Sequence, residues 1–330
     1  MTRLVLVHGR DLDGRDPEAL EAQWLGALGA GLAAAGSTLR PTDDDASFVY
    51  YGDALERLVD GGAPPPVTVH ALAADPAALP RLVGALPDGE LRFVLDVVRE
   101  VLAAARRRPD DEAPSVAPPP VEAQGAVGDA LVEAVVGALA LVARYVPWVS
   151  AAVLLTLTRD VYAYLHDDAV RRVIDAGLAD ALADATSGGG PAVVVAHSLG
   201  SVVAYSVLSD RLSARLPGRS GGPDVPLLLT PGSPLGIRAI RDALRARAPL
   251  AYPARVGRWV SPRDPRDLLA LRDLTPDVFP LPDGSPSIEA LRVTNRAPGF
   301  HAAAYPLDDG SWAGYLALPE VAGPVGEALT

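Results

Sequence analysis

The sequence predicts an α/β fold: a mostly parallel sheet with helices on both faces. Short unbroken apolar runs such as Leu4–Val7 and Ala192–Ala196 have the character of strands buried on both sides. Stretches with helical spacing separate these runs, and strands alternating with helices are the pattern of a parallel sheet. The chain has 330 residues, 49% of them hydrophobic, which is enough for a sizeable core.

The elements follow in order. Leu4–Val7 is a strand that ends at Gly9. Glu18–Ala35 is a helix with Leu20, Trp24, Leu25, Leu28 and Leu32 on one side, and Gly36 is its stop. Thr38–Arg40 is expected as a short strand, followed by the segment Phe48–Gly52. Asp53 caps a helix through Val59, and Val67–Leu72 is a strand candidate. Leu91–Arg107 is helical. Pro109–Pro120 is acidic and then proline-rich, as an exposed linker would be. Val127–Tyr145 and Trp148–Leu165 are apolar helices separated by Pro147, and Ala169–Ala185 is an amphipathic one. After the turn Ser187–Pro191 comes the strand Ala192–Ala196, then the helix Ser201–Leu212. Leu227–Thr230, Val256–Val260 and Leu291–Thr294 are the remaining strands.

Composition narrows the function classes. Forty-one acidic residues against 29 basic give a formal charge of −12, which argues against nucleic-acid binding by charge. The absence of cysteine removes disulfides, thiolate nucleophiles, iron–sulfur clusters and cysteine zinc sites, and it fits a reducing cytoplasm. The first apolar run is too short for a secretory leader. The longest apolar stretch, Ala134–Thr158, is broken by Arg144 and Pro147, so neither half reaches the roughly 18 residues of a membrane span. A cytoplasmic location is therefore expected. No side chains have metal-ligand spacing, and no metal or cofactor is expected.

The most informative segment is Ala196-His197-Ser198-Leu199-Gly200, set between a strand and a helix. A turn this sharp strains the backbone of its central residue and demands small neighbours two positions away, here Ala196 and Gly200. The Ser198 hydroxyl then projects above the sheet, and the Leu199 amide opens a helix whose dipole favours negative charge. On this motif, and on Val7-His8-Gly9-Arg10 at the end of the first strand, the chain resembles the serine α/β-hydrolases of the lipase/esterase-like group. The resemblance covers most of the chain and is weakest in the middle third.

The resemblance implies an α/β-hydrolase fold in a single domain, residues 1–330. It also implies an oxyanion hole made by the Leu199 amide and one from Gly9 or Arg10. The family order is serine, acid, histidine. Of the five histidines, only His301 follows Ser198, and it lies after the last strand. His197 is read as part of the elbow with its ring turned away from the hydroxyl, His166 as structural, and His70 stays unassigned. The acid belongs after Val256–Val260, where Asp264 and Asp267 both qualify. Asp267 is preferred because Leu268-Leu269-Ala270 follow it as the start of an element. Asp264 precedes Pro265, which restricts it to extended geometry, and is expected in a weak surface pair with Arg263 or Arg266. The segment Thr230–Gly236 is read as a tight turn at the carboxyl edge of the sheet.

Residues 87–157 exceed what the sheet needs, and their apolar helical content is read as a cap, with core packing or a dimer face as equal alternatives. The expected activity is cleavage of an ester, thioester or amide with an apolar acyl group, through an acyl-enzyme on Ser198. An acyltransferase or lyase using the same site, and a non-catalytic binding protein on this scaffold, are the alternatives.

Overall fold

The computed structural model describes residues 2–9, 16–60, 78–105, 128–146, 151–209 and 224–330. It divides into two compact units. One comprises Met1–Ala54, Arg172–Gly236 and Leu244–Thr330; the other comprises Leu55–Arg171 and Ile237–Ala243.

The first unit is an α/β sheet structure. Its strands are β1 (Arg3–Val7), β2 (Ala46–Val49), β3 (Ala192–Ala196), β4 (Val225–Leu229), β5 (Val256–Arg263) and β6 (Glu289–Arg292). They form one sheet in the order β2-β1-β3-β4-β5-β6, and every pairing is parallel. Leu4, Val5, Leu6 and Val7 are fully buried, as are all five residues of β3, which is why these two strands read as continuous apolar runs. Alternate residues of the sheet (Leu4, Leu6, Val193, Val195, Leu227, Leu229 and Val260) join one apolar cluster with Trp24, Leu28 and Leu32 of helix α1 (Pro17–Ala34) and with Val321 and Val325 near the C-terminus. Asp16 caps α1 by accepting the Glu18 amide at 3.1 Å. The chain leaves β1 for β2 on one side, then returns to the other side of β1 at β3. Strand order therefore reverses between β1 and β3, and the crevice at their carboxyl ends is where open α/β sheets bind ligands.

The second unit is helical. It holds most of α2 (Gly52–Asp60), together with α3 (Leu79–Gly84), α4 (Asp88–Ala105), α5 (Asp129–Tyr145) and α6 (Ala151–His166). Leu91, Leu95, Val98 and Leu102 recur at helical spacing on α4 and are buried, as are Leu131, Val135, Leu139 and Val142 on α5. These stripes pack α4 against α5, and α4 also meets α6. The span 87–157 falls within this unit. No helix among the described residues is long and apolar enough to cross a membrane.

Several sequence expectations change. Thr38–Arg40 forms no strand; the partner of β1 is Ala46–Val49, reached after a short turn at Asp43–Asp45. Strand β5 continues to Arg263, because beyond Val260 it pairs with β6 rather than β4. The last strand of the parallel sheet spans Glu289–Arg292 rather than Leu291–Thr294, and Tyr305–Pro306 and Trp312–Ala313 form a separate antiparallel pair after it. Helices α7 (Asp168–Thr186) and α8 (Leu199–Ser209) lie close to their expected spans, whereas α9 (Arg238–Arg247) and α10 (Pro319–Leu329) were not expected. Val67–Leu72, His70, the Pro109–Pro120 linker, Trp148 and Arg10 lie outside the described residues.

Candidate active site

Only His197 and Ser198 separate the end of β3 from the start of α8. Ser198 has φ 53°, a left-handed conformation that a side-chain-bearing residue adopts only when its surroundings impose it. Those surroundings are close-packed backbone. A Cβ at Gly200 would lie 2.4 Å from the His8 carbonyl oxygen, and one at Gly9 would lie 2.7 Å from the Ser198 Cβ. Glycine at positions 9 and 200 is thus a steric requirement of the turn. The Ser198 amide donates to the Pro231 carbonyl at 3.3 Å, so the Thr230–Gly236 turn sits directly behind the elbow. That turn is buried throughout, and its Ser233 hydroxyl meets the Ser201 hydroxyl at 2.7 Å. Leu199 is the first residue of α8, so its amide has no partner within the helix; Gly9 lies beside Ser198.

The structure brings Ser198, His301 and Asp267 into one hydrogen-bonded chain. His301 Nε2 lies 3.0 Å from Ser198 Oγ, and its Nδ1 lies 2.8 Å from Asp267 Oδ2. Asp267 is fully buried. Its Oδ1 accepts the amides of Leu269 at 2.9 Å and Ala270 at 3.3 Å, and its Oδ2 also accepts the Tyr315 hydroxyl at 2.7 Å. An ionised carboxylate only accepts, so the imidazole proton sits on Nδ1 and the Nε2 lone pair faces the serine hydroxyl.

Asp264 does something else. Its side chain is 1% exposed and is held by the backbone and guanidinium of Arg266, at 2.7 Å from the amide, 3.0 Å from Nε and 2.7 Å from Nη2, and by the Asn295 amide at 2.7 Å. The expected surface pair is therefore a half-buried one, with the carboxylate enclosed and the guanidinium about a third exposed, because the loop after β5 folds inward onto the segment that leads to His301. Arg266 also lies 4.0 Å over the Phe300 ring, and the Asn295 side chain donates to the Ala302 carbonyl at 3.0 Å. Gly299 and Phe300, immediately before His301, have φ 71° and 61°. Asp264, Arg266 and Asn295 together clamp this strained loop.

His197 was expected to turn its ring away from the Ser198 hydroxyl, and the contacts of that ring lie on the histidine side of the site. The ring lies against His301, with centroids 4.7 Å apart, and its Nε2 donates to the His301 carbonyl at 2.7 Å. Burial, and then the nearby His301, push its pKa well below the ordinary histidine value, so it is neutral. His8 is buried as well: its Nε2 accepts the Tyr51 amide at 3.0 Å, while the Tyr51 hydroxyl donates to the His8 carbonyl at 2.7 Å. Burial lowers its pKa to about 4. His166 stacks on Tyr162 at 4.3 Å within the helical unit. Among the described residues, no group of three or more His, Asp or Glu is placed to hold a metal ion.

Sequence reasoning missed Tyr315, Asn295 and the ring contact of His197, and it gave Arg266 only as one of two surface partners for Asp264. Tyr315 and Asn295 reach the two acids across 31 to 51 positions of sequence, and no local motif marks them. Comparison of the chain with protein-family models, with curated proteins and with solved structures returned no match.

Proposed function

We propose that this chain is a serine hydrolase of the α/β-hydrolase type, cleaving an ester, thioester or amide. The observation that carries the reading is the unbroken chain from Ser198 Oγ through His301 to Asp267. It is built on a serine with a left-handed backbone, at the point where strand order reverses.

In this reading Ser198 Oγ attacks the substrate carbonyl while His301 Nε2 takes the hydroxyl proton. Asp267 holds the imidazole in the required tautomer and stabilises the imidazolium that forms. The Leu199 amide at the positive end of α8, with a second amide from Gly9 or Arg10, receives the developing oxyanion. His301 then protonates the leaving alcohol, thiol or amine. Water, deprotonated by the same histidine, releases the acid and restores Ser198.

A panel of p-nitrophenyl esters from acetate to dodecanoate tests the reading. Hydrolysis by the wild type and none above background by Ser198→Ala is the expected result. Equal rates for the two proteins overturn it. Repeating the assay with added methanol separates hydrolysis, which yields mainly the free acid, from acyl transfer, which yields mainly the methyl ester.

A further inference from the structure

Asp267 carries one contact that acyl transfer does not by itself require. The Tyr315 hydroxyl sits 2.7 Å from Oδ2, the same oxygen that faces His301 Nδ1 at 2.8 Å. The direction of this bond is fixed by its neighbour. The Asp264 amide lies 2.9 Å from the tyrosine oxygen, and an amide N–H can only donate. The phenol accepts there, so its own proton points to Asp267. Tyr315 is fully buried, and burial together with the Asp267 charge holds its pKa well above the ordinary tyrosine value, which keeps the donor protonated.

The backbone of the same residue is tied to the segment that follows His301. The Tyr315 amide donates to the Ala302 carbonyl at 3.0 Å, and the Leu316 amide donates to the Ala303 carbonyl at 2.9 Å. One residue thus fixes the acid through its side chain and braces the base through its backbone. Two donors on one carboxylate oxygen also divide that oxygen's charge. With Tyr315 present, Oδ2 is a weaker base toward Nδ1–H than it would be alone. Oδ1 is already committed to two amides, so the tyrosine completes the orientation of the carboxylate.

We propose that Tyr315 is a positioning residue that sets the strength and direction of the Asp267–His301 hydrogen bond. The inference rests on reading Ser198, His301 and Asp267 as a catalytic triad, but its principal readout does not depend on turnover. In the proton NMR spectrum of the full chain, the His301 Nδ1 proton should resonate downfield of the amide region, and the signal should disappear in Asp267→Asn. Tyr315→Phe removes the competing donor and should move the signal further downfield. Site-specific 3-fluorotyrosine at position 315 keeps the shape but is a stronger donor, and should move it upfield. Opposite displacements are what the proposal requires, and the fluorinated protein retains the fold if the phenylalanine variant does not. On an ester substrate, Tyr315→Phe should lower kcat about tenfold with KM unchanged, because the carboxylate, although bound more strongly to Nδ1–H, loses the donor that orients it for the chemical step.

A signal that ignores both replacements overturns the proposal, even if esters are cleaved. A signal that moves in opposite directions in a protein with no hydrolytic activity supports the positioning role and removes the hydrolase reading, so the two failures are distinct.

Discussion

The elbow at Ser198 and the loop before His301 both hold backbone in the left-handed region, but they hold it by different means. At the elbow the strained residue is enclosed by backbone so close that Gly9 and Gly200 admit no Cβ without collision. In the histidine loop, two consecutive residues, Gly299 and Phe300, have positive φ and are only half-buried, and the restraint comes from polar side chains on distant segments. Close packing fixes the serine rigidly. A hydrogen-bonded clamp fixes the histidine with interactions that can be removed one at a time. The difference predicts that damage at the elbow is structural and abrupt, whereas damage around the histidine loop separates chemistry from stability.

The largest effect tests that separation on two acids three positions apart. Asp267→Asn should lower turnover on the order of ten-thousandfold, because the imidazole loses its tautomer and the partner for its charge. Asp264→Asn should change turnover far less, and the ratio of the two rates measures how cleanly the roles divide. Equal losses would erase the distinction between orienter and clamp.

At the elbow, Gly200→Ala places a methyl group against the His8 carbonyl, and only backbone movement relieves it. It should destabilise the protein by about 3 kcal/mol in urea unfolding, as overpacking does.

The third prediction concerns pH. In the folded chain burial lowers the His8 pKa to about 4, against about 6.5 when unfolded, because the charged ring loses its hydration. Between these values the unfolded state binds the extra proton. Stability is therefore full above about pH 6.5 and declines as pH falls toward 4, by about 3 kcal/mol for this one group. His197, lowered in the same direction, adds to the slope. Urea midpoints measured from pH 7 to pH 4 should show the decline. His8→Gln, which keeps an acceptor without titrating, should reduce its slope by about one proton.

The smallest effect belongs to the clamp. Asp264→Asn leaves Arg266 without its carboxylate, and because that guanidinium is about a third exposed, the loss should be about 2 kcal/mol rather than the full value of a buried pair. A loss above that of Gly200→Ala would invert the ranking of the two regions.

The same contrast explains what the sequence made legible. The elbow is readable because packing-held strain requires small residues at fixed, short spacing, and Ala196, Ser198 and Gly200 meet that requirement within five positions. The buried strands β1 and β3 are readable because both faces are covered and no polar residue interrupts them. The clamp is readable only in part: Asp264 and Arg266 are close enough in sequence to suggest a pair, but Asn295 is an ordinary loop residue until the chain brings it to Asp264, and nothing local shows that the carboxylate is buried. Helix α10 is hidden for a local reason. Pro324 lies inside it with Gly323 and Gly326, so its propensity is poor, and only packing of Val321, Ala322 and Val325 into the sheet's core keeps it helical. In α9 four arginines leave only Ile240 and Leu244 as apolar markers. The ring contact of His197 follows from the His301 loop lying over it, and no pattern near His197 announces it.

The central claim is that the hydroxyl of Ser198 is an activated nucleophile. A fluorophosphonate probe, followed by peptide mass spectrometry, tests it without knowledge of the substrate. The account predicts one adduct per chain, on Ser198, absent from Ser198→Ala and formed orders of magnitude more slowly by His301→Ala. An adduct on another residue, or a wild type that labels no faster than His301→Ala, would contradict it.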